Sequence, residues 1–221
     1  MLNNNIRYLQ IAFNDTVDDV LRLLPSIPGS SRVLIEAGTP FIKHEGSRGI
    51  RAIRERWSGI VVADLKIADG ALGELAMARR SGANAATVLG NAPTETLDLF
   101  VQHCSQLGML SMIDMIGVED PLNVMRPMRT PPDVVVMHRG RDEENTRGKV
   151  IQYKHVNRIR SKYDVTISAA GGIDLRESRS AIFNGANIVV VNLVQPGSLW
   201  EGIPTTSDVG ATVQAFLDMI K

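Results

Sequence analysis

Residues 60–70 read IVVADLKIADG, an apolar run that ends in an acid, a base and a second acid. Asp64 and Lys66 are two apart, so on a strand both side chains leave the same face. A carboxylate beside an ammonium group at such a point is suited to holding a charged intermediate. Asp69 falls beyond the strand, placed either to cap the following helix or to reach a neighbouring subunit. Other runs finish the same way. Asn14 follows YLQIAF, Glu36 sits in RVLIEAG, Asp114 closes LSMID, His138, Arg139 and Arg141 follow DVVVM, and Gly171-Gly172 follow ISAA. An ordinary strand-end ion pair is the plainer reading of Asp64 and Lys66 alone. Glu36 resists such a reading, because an unpaired carboxylate at the end of a buried run is costly.

The elements that position these residues are eight short β-type runs: near residue 10, then 32–38, 59–64, 85–90, 110–117, 133–138, 164–172 and 186–194. Helix-like segments such as TVDDVLRLL, ALGELAMARRSG, TETLDLFVQHC and LRESRSAIFNG lie between them. The runs are continuously apolar, as parallel strands covered on both faces are. Glycines in RRSGA, QLGM and FNGA fit helix ends, and Asp174 with Glu177 fits a capping box. Eight such units predict an α/β chain folded as one (β/α)8 TIM barrel over residues 1–221. A doubly wound open sheet is the alternative, and no G-x-G-x-x-G follows the first run to support it. In a barrel the reacting groups project from the C-terminal strand ends, where these residues fall. Glu36 and Asp64, on adjacent strands, then offer two hard carboxylates suited to a divalent cation such as Mg²⁺.

Bulk properties narrow the setting. The 221 residues are 44% hydrophobic and 22% charged, and 24 Lys plus Arg balance 24 Asp plus Glu. No global field favours nucleic acid or an anionic membrane. The single cysteine, Cys104, excludes an internal disulfide and reads as a small buried residue. MLNNNIRYLQ lacks the basic head and apolar core of a signal peptide. No apolar run approaches the roughly 20 residues needed to span a bilayer, so a cytoplasmic protein is expected. The basic stretch 154–162 reads as a solvated helix face, as do the surroundings of His103 and His155. His44 and Glu45 read as loop residues.

The D-x-K-x-x-D of Asp64, Lys66 and Asp69 resembles the signature of the orotidine 5′-monophosphate decarboxylase superfamily. IEAGTPFIKHEG (35–46), DMIGVED (114–120), HRGRDEE (138–144) and AGGID (170–174) extend the resemblance over nearly the whole chain. An acid at Glu36, where orotidine decarboxylases place a lysine, is similar to the 3-hexulose-6-phosphate synthase and 3-keto-L-gulonate-6-phosphate decarboxylase branch. The resemblance implies Mg²⁺ held by Glu36 and Asp64 and an enediolate stabilised beside Lys66. Asp69 would orient Lys66 from the partner subunit of a homodimer. His138 would carry the proton, and Arg141 would position water or formaldehyde. Asn14, Asp114, Gly171, Gly172 and Asn192 would bind a phosphorylated sugar. Asp114 resembles the synthase and HRGRD the decarboxylase. The favoured reading is an aldol lyase joining formaldehyde to ribulose 5-phosphate, with decarboxylation as the alternative.

Two positions depart from that pattern. Asn14 stands where the family has Asp, and VVVNLVQPG replaces the glycine-rich end of the eighth strand that completes a phosphate cradle. Either residues 195–208 rebuild the cradle or the substrate is not a standard sugar phosphate. A non-catalytic paralogue binding a phosphorylated metabolite is the reading from another class.

Overall fold

A computed structural model describes residues 2–148 and 150–221. Each apolar run forms a strand: β1 (Tyr8–Phe13), β2 (Val33–Ala37), β3 (Val61–Ile67), β4 (Ala85–Leu89), β5 (Leu110–Asp114), β6 (Val134–His138), β7 (Thr166–Ala170) and β8 (Ile188–Val194). Each pairs in parallel with the next, and β1 pairs with β8, Gln10 beside Val190, so the sheet closes. The expected TIM barrel is the fold. Helices α1 (Val17–Leu23), α2 (Thr39–Arg54), α3 (Ala71–Arg80), α4 (Thr94–Leu107), α5 (Pro121–Met125), α6 (Arg141–Arg147), α7 (Val156–Arg160), α8 (Leu175–Phe183) and α9 (Val209–Met219) follow the strands.

Successive side chains on a strand leave opposite faces, so the barrel has two apolar shells. Leu9, Ile11 and Phe13 pack outwards against the helices. Tyr8, Ala12, Leu34, Val62, Ala85, Met112, Val136, Ala170 and Val190 fill the interior. The period of two has a direct consequence. Two residues beyond inward-facing Ala12, Leu34, Val62, Met112, Val136 and Val190 stand Asn14, Glu36, Asp64, Asp114, His138 and Asn192. The apolar interior thus ends in a ring of polar groups at one mouth.

Several local expectations hold. Gly108, the C-cap of α4, has φ 63°, a conformation that costs glycine no Cβ clash. Cys104 is buried, and burial followed by the charge of Asp133 pushes its thiol up to about 12. Among the described residues no helix is long and apolar enough to cross a membrane.

Others need correction. His44 and Glu45 belong to α2, which kinks at Gly46, and Glu45 Oε1 accepts the Val17 N–H at 2.9 Å. That contact satisfies an orphan donor at the start of α1, so the acid serves helix capping. His155 is buried rather than solvated, with Nδ1 3.7 Å from Asp120 Oδ1, because it turns inward where a 3₁₀ turn leads into α7. Only half of the expected capping box forms: Asp174 Oδ1 accepts from the Glu177 N–H, while the Glu177 carboxylate takes the Tyr153 hydroxyl at 2.8 Å. Within the irregular stretch 195–208, a short ninth strand, β9 (Ile203–Pro204), pairs with Leu193–Val194 of β8.

Candidate active site

Asn14, Glu36, Asp64, Lys66, Asp114, His138, Arg141, Gly171 and Asn192 line one cavity of about 430 Å³ at the polar mouth. The site is built around Lys66. Its Nζ donates to Asp64 Oδ2 at 2.7 Å, to Asp64 Oδ1 at 2.9 Å and to Asp114 Oδ2 at 2.8 Å. Burial alone would lower Lys66. The two carboxylates outweigh it and hold the ammonium well above the ordinary lysine value.

Lys66 and Asp64 do meet, but regular alternation is not the reason. The register of β3 against β4 shifts between Ala63 and Ile67. Lys66 has φ 47°, alone among the described non-glycine residues in having positive φ. That left-handed geometry costs about 1–2 kcal/mol. Here it is held by the ion pairs and by the Lys66 N–H donating to Thr87 Oγ1 at 2.9 Å.

Asp114 joins Lys66 to His138. Its two oxygens lie 2.8 and 2.9 Å from His138 Nδ1, and Oδ1 also takes the Ile116 N–H at 3.0 Å. Burial would raise Asp114, but His138 and Lys66 hold it well below the usual carboxylate range. An ionised carboxylate facing Nδ1 assigns a proton to that nitrogen and turns Nε2 away from Asp114. The imidazole is thereby oriented as a base.

The acids on β2 and β3 are in tension. Burial, followed by the charge of Asp64, pushes Glu36 up to about 7, with Lys66 only partly offsetting it. Gln10 Nε2 donates to Glu36 Oε2, while Gln10 Oε1 is a buried acceptor without a partner among the described residues. Thr39 and Thr87 donate to the two Asp64 oxygens, each at 2.8 Å. Among the described residues no three His, Cys, Asp or Glu side chains are placed to hold one metal ion together. The donor chemistry on this side of the cavity is nevertheless that of hard oxygens, from Glu36, Asp64 and the unpartnered Gln10 Oε1. Such a set fits Mg²⁺.

Arg141, at the start of α6, lies 3.9 Å from the ring centroid of Trp200. Burial lowers it, opposed by the charges of Glu36, Asp15 and Asp64. Trp200 reaches the cavity because residues 195–208 are tied to the first βα unit. Gln195 Nε2 donates to Asp15 at 3.1 Å and to Asp19 at 3.2 Å, and Arg22 Nη1 donates to the Thr205 carbonyl at 3.1 Å. Asp69 is exposed and outside this cavity. It does not cap α3, which begins after Gly70 without a side-chain cap. Gly172 lies just outside the cavity lining, behind Gly171.

Gln10, Thr39, Thr87 and Trp200 carry no motif in the sequence. Gln10 and Thr87 have a faint signal, since both are polar residues at inward-facing positions of apolar runs. Thr39 looks like any helix-opening residue and Trp200 like any loop aromatic.

Residues 7–192 match the orotidine 5′-phosphate decarboxylase / HUMPS family. The bifunctional enzyme Fae/Hps of Methanothrix thermoacetophila is 36% identical over 217 residues, 97% of this chain and 53% of that protein. The bifunctional enzyme Fae/Hps of Methanocaldococcus jannaschii is 32% identical over 212 residues, 96% of this chain and 51% of that protein. The chain therefore spans about half the length of these curated relatives. Among solved structures, 3-hexulose-6-phosphate synthase from Salmonella typhimurium superposes with a TM-score of 0.83 at 24% identity, covering 96% of this chain and 98% of that one. Another 3-hexulose-6-phosphate synthase gives a TM-score of 0.81 at 27% identity, covering 97% and 100%.

Proposed function

The chain belongs to the orotidine 5′-phosphate decarboxylase / HUMPS family, and on that premise we propose that it is a carbon–carbon lyase of the 3-hexulose-6-phosphate synthase type. The reaction joins formaldehyde to ribulose 5-phosphate. One observation carries the reading: the Asp114 carboxylate sits between the Lys66 ammonium and the His138 imidazole, beside the Glu36–Asp64 pair.

His138 Nε2 takes the proton from the carbon that bears a hydroxyl next to the ketone, breaking that C–H bond. The resulting enediolate oxygen lies within reach of the Lys66 ammonium, which stabilises the developing charge. The enediolate carbon attacks formaldehyde held near Arg141, forming the new C–C bond. The alkoxide so formed takes the proton that His138 carries, which returns the imidazole to its starting state. Glu36 and Asp64, supported by Gln10, are the residues that would hold Mg²⁺. The chemistry supplied there is Lewis-acid polarisation of the substrate's carbonyl and hydroxyl oxygens.

A homodimer in the cytoplasm is part of this proposal, and the motif resemblance of Asp64, Lys66 and Asp69 is what supports the dimer. Asp69 is exposed, and Leu72, one turn along, is half-exposed. In this reading Asp69 reaches the neighbouring subunit's site. Mixing inactive Lys66→Ala and Asp69→Ala subunits would then restore part of the activity, and additive inactivity would reject it.

The function is tested with purified protein, ribulose 5-phosphate, formaldehyde and Mg²⁺. Formaldehyde consumption that is lost in EDTA and in Asp64→Ala is expected. No consumption, or equal consumption in all three, overturns the assignment. Arg141 on the cavity wall keeps a second reading open, decarboxylation of 3-keto-L-gulonate 6-phosphate, which carbon dioxide release from that substrate would reveal.

A further inference from the structure

Arg139 is absent from the wall of the active-site cavity, yet it is the residue most closely bound to the turn that follows β7. Its N–H donates to the Ala170 carbonyl at 3.0 Å. Its Nη2 donates to the Gly171 carbonyl at 2.9 Å, to the Gly172 carbonyl at 3.1 Å and to Glu144 Oε1 at 2.9 Å. Arg139 instead faces a neighbouring hollow with Glu143, Val150 and Lys154, while Gly171 faces the cavity.

A trans peptide sets its N–H opposite its C=O. With the Gly171 and Gly172 carbonyls both drawn to the guanidinium, the N–H groups of Gly172 and Ile173 point the other way, towards the side that Gly171 lines. Among the described residues neither N–H meets a protein acceptor. Gly171 and Gly172 have φ of 103° and 56°, and successive N–H groups in such a turn make an anion-binding concavity. A Cβ on Gly171 would strike the Arg139 carbonyl, and one on Gly172 would strike the Glu144 carboxylate and Arg139 Nη2. The Arg139–Glu144 pair therefore fills the carbonyl side of the turn. Because Glu144 balances the charge of Arg139, the pair acts through orientation more than through net potential.

We infer that Arg139, backed by Glu144, is a positioning residue that turns the Gly171–Gly172 peptides so that their N–H groups hold the phosphate monoester of the substrate. The inference rests on reading the substrate as a sugar phosphate. It also gives the β7 side most of the anion contact, since β8 offers Asn192 in place of a glycine at the rim.

Inorganic phosphate and ribulose 5-phosphate serve as separate probes on the purified chain. Phosphate is expected to raise the melting temperature of the unaltered protein and not that of Arg139→Met. In turnover, Arg139→Met should raise KM about ten-fold or more, the size of one lost charge-assisted hydrogen bond, with kcat within about three-fold. Arg139→Lys, which reaches one carbonyl but not both, should fall between the two. Glu144→Gln, which keeps the guanidinium in place, should change KM by less than about three-fold. Should Arg139→Met fail to fold, Arg139→Lys decides by the same two measurements. The inference is overturned if phosphate does not stabilise the unaltered protein, if Arg139→Met keeps the full phosphate-induced shift, or if kcat falls in Arg139→Met while KM is unchanged. Lack of turnover by the unaltered protein would reject the proposed reaction, whereas the phosphate comparison would still decide the role of Arg139.

Discussion

Asn14 Nδ2 donates to Asn192 Oδ1 at 3.0 Å, joining the ends of β1 and β8, the two strands whose pairing closes the barrel. These are the two positions that the sequence resemblance singles out, and in space they are one contact. A carboxylate at position 14 has no N–H to give and would require the Asn192 amide to flip. A glycine at 192 would leave the Asn14 amide without its acceptor. Each asparagine therefore supplies the partner that the other uses.

A double-mutant cycle measures that coupling. Asn14→Ala and Asn192→Ala, singly and combined, are expected to show an interaction of about 1 kcal/mol in urea unfolding. Strict additivity would mean that the hydrogen bond contributes nothing to closing the barrel.

Glu36 makes stability depend on pH. Burial and Asp64 raise its folded value to about 7 from the ordinary 4.5. Between those values the native state holds more protons than the unfolded chain, so metal-free protein loses stability as pH rises. The loss is at most ~3 kcal/mol from pH 4.5 to 7. A divalent cation competes with that proton, so stabilisation by Mg²⁺ should grow as pH rises through about 7. Urea unfolding from pH 5 to 8, in EDTA and in Mg²⁺, checks both slopes. Glu36→Gln should flatten them, and an unchanged slope in that variant would assign the effect elsewhere.

Asp114→Asn keeps the shape of the carboxylate but no longer fixes the His138 tautomer or pairs with Lys66. Exchange of the substrate's carbon-bound proton with solvent deuterium, followed by NMR, should slow about 10²–10⁴-fold. KM should change little, because the lost interaction matters most when charge develops. A large rise in KM at normal exchange would make Asp114 a substrate-binding residue, its assignment from the sequence.

Trp200 holds Arg141 against the cavity mouth. Trp200→Ala should raise KM about 2- to 30-fold, the span of a cation–π contact of 0.5–2 kcal/mol, and Trp200→Phe should recover part of it. The chain has two tryptophans, and Trp57 is buried outside the cavity. A change in emission on adding ribulose 5-phosphate that survives in Trp57→Phe and disappears in Trp200→Ala would locate the substrate beneath the ring. No change in either variant would place it elsewhere.

The sequence by itself determined the barrel and most of its polar mouth. Parallel strands buried on both faces must be continuously apolar, and their side chains alternate with period two. Glu36, Asp64, Asp114, His138 and Asn192 are legible because each follows an inward-facing apolar residue by two positions. Only the tertiary structure decided how these groups pair. A strand pattern cannot show that β3 shifts register and sets Lys66 in a left-handed conformation, since that depends on Thr87 of the next strand. Thr39 and Gln10 gain their roles from acids on other strands, Asp64 and Glu36. Trp200 gains its place from Gln195 binding Asp15 and Asp19, some 180 residues away along the chain. Alternation and burial are local and leave a period in the sequence. Contacts between distant segments leave none, because any residue that fits the space can make them.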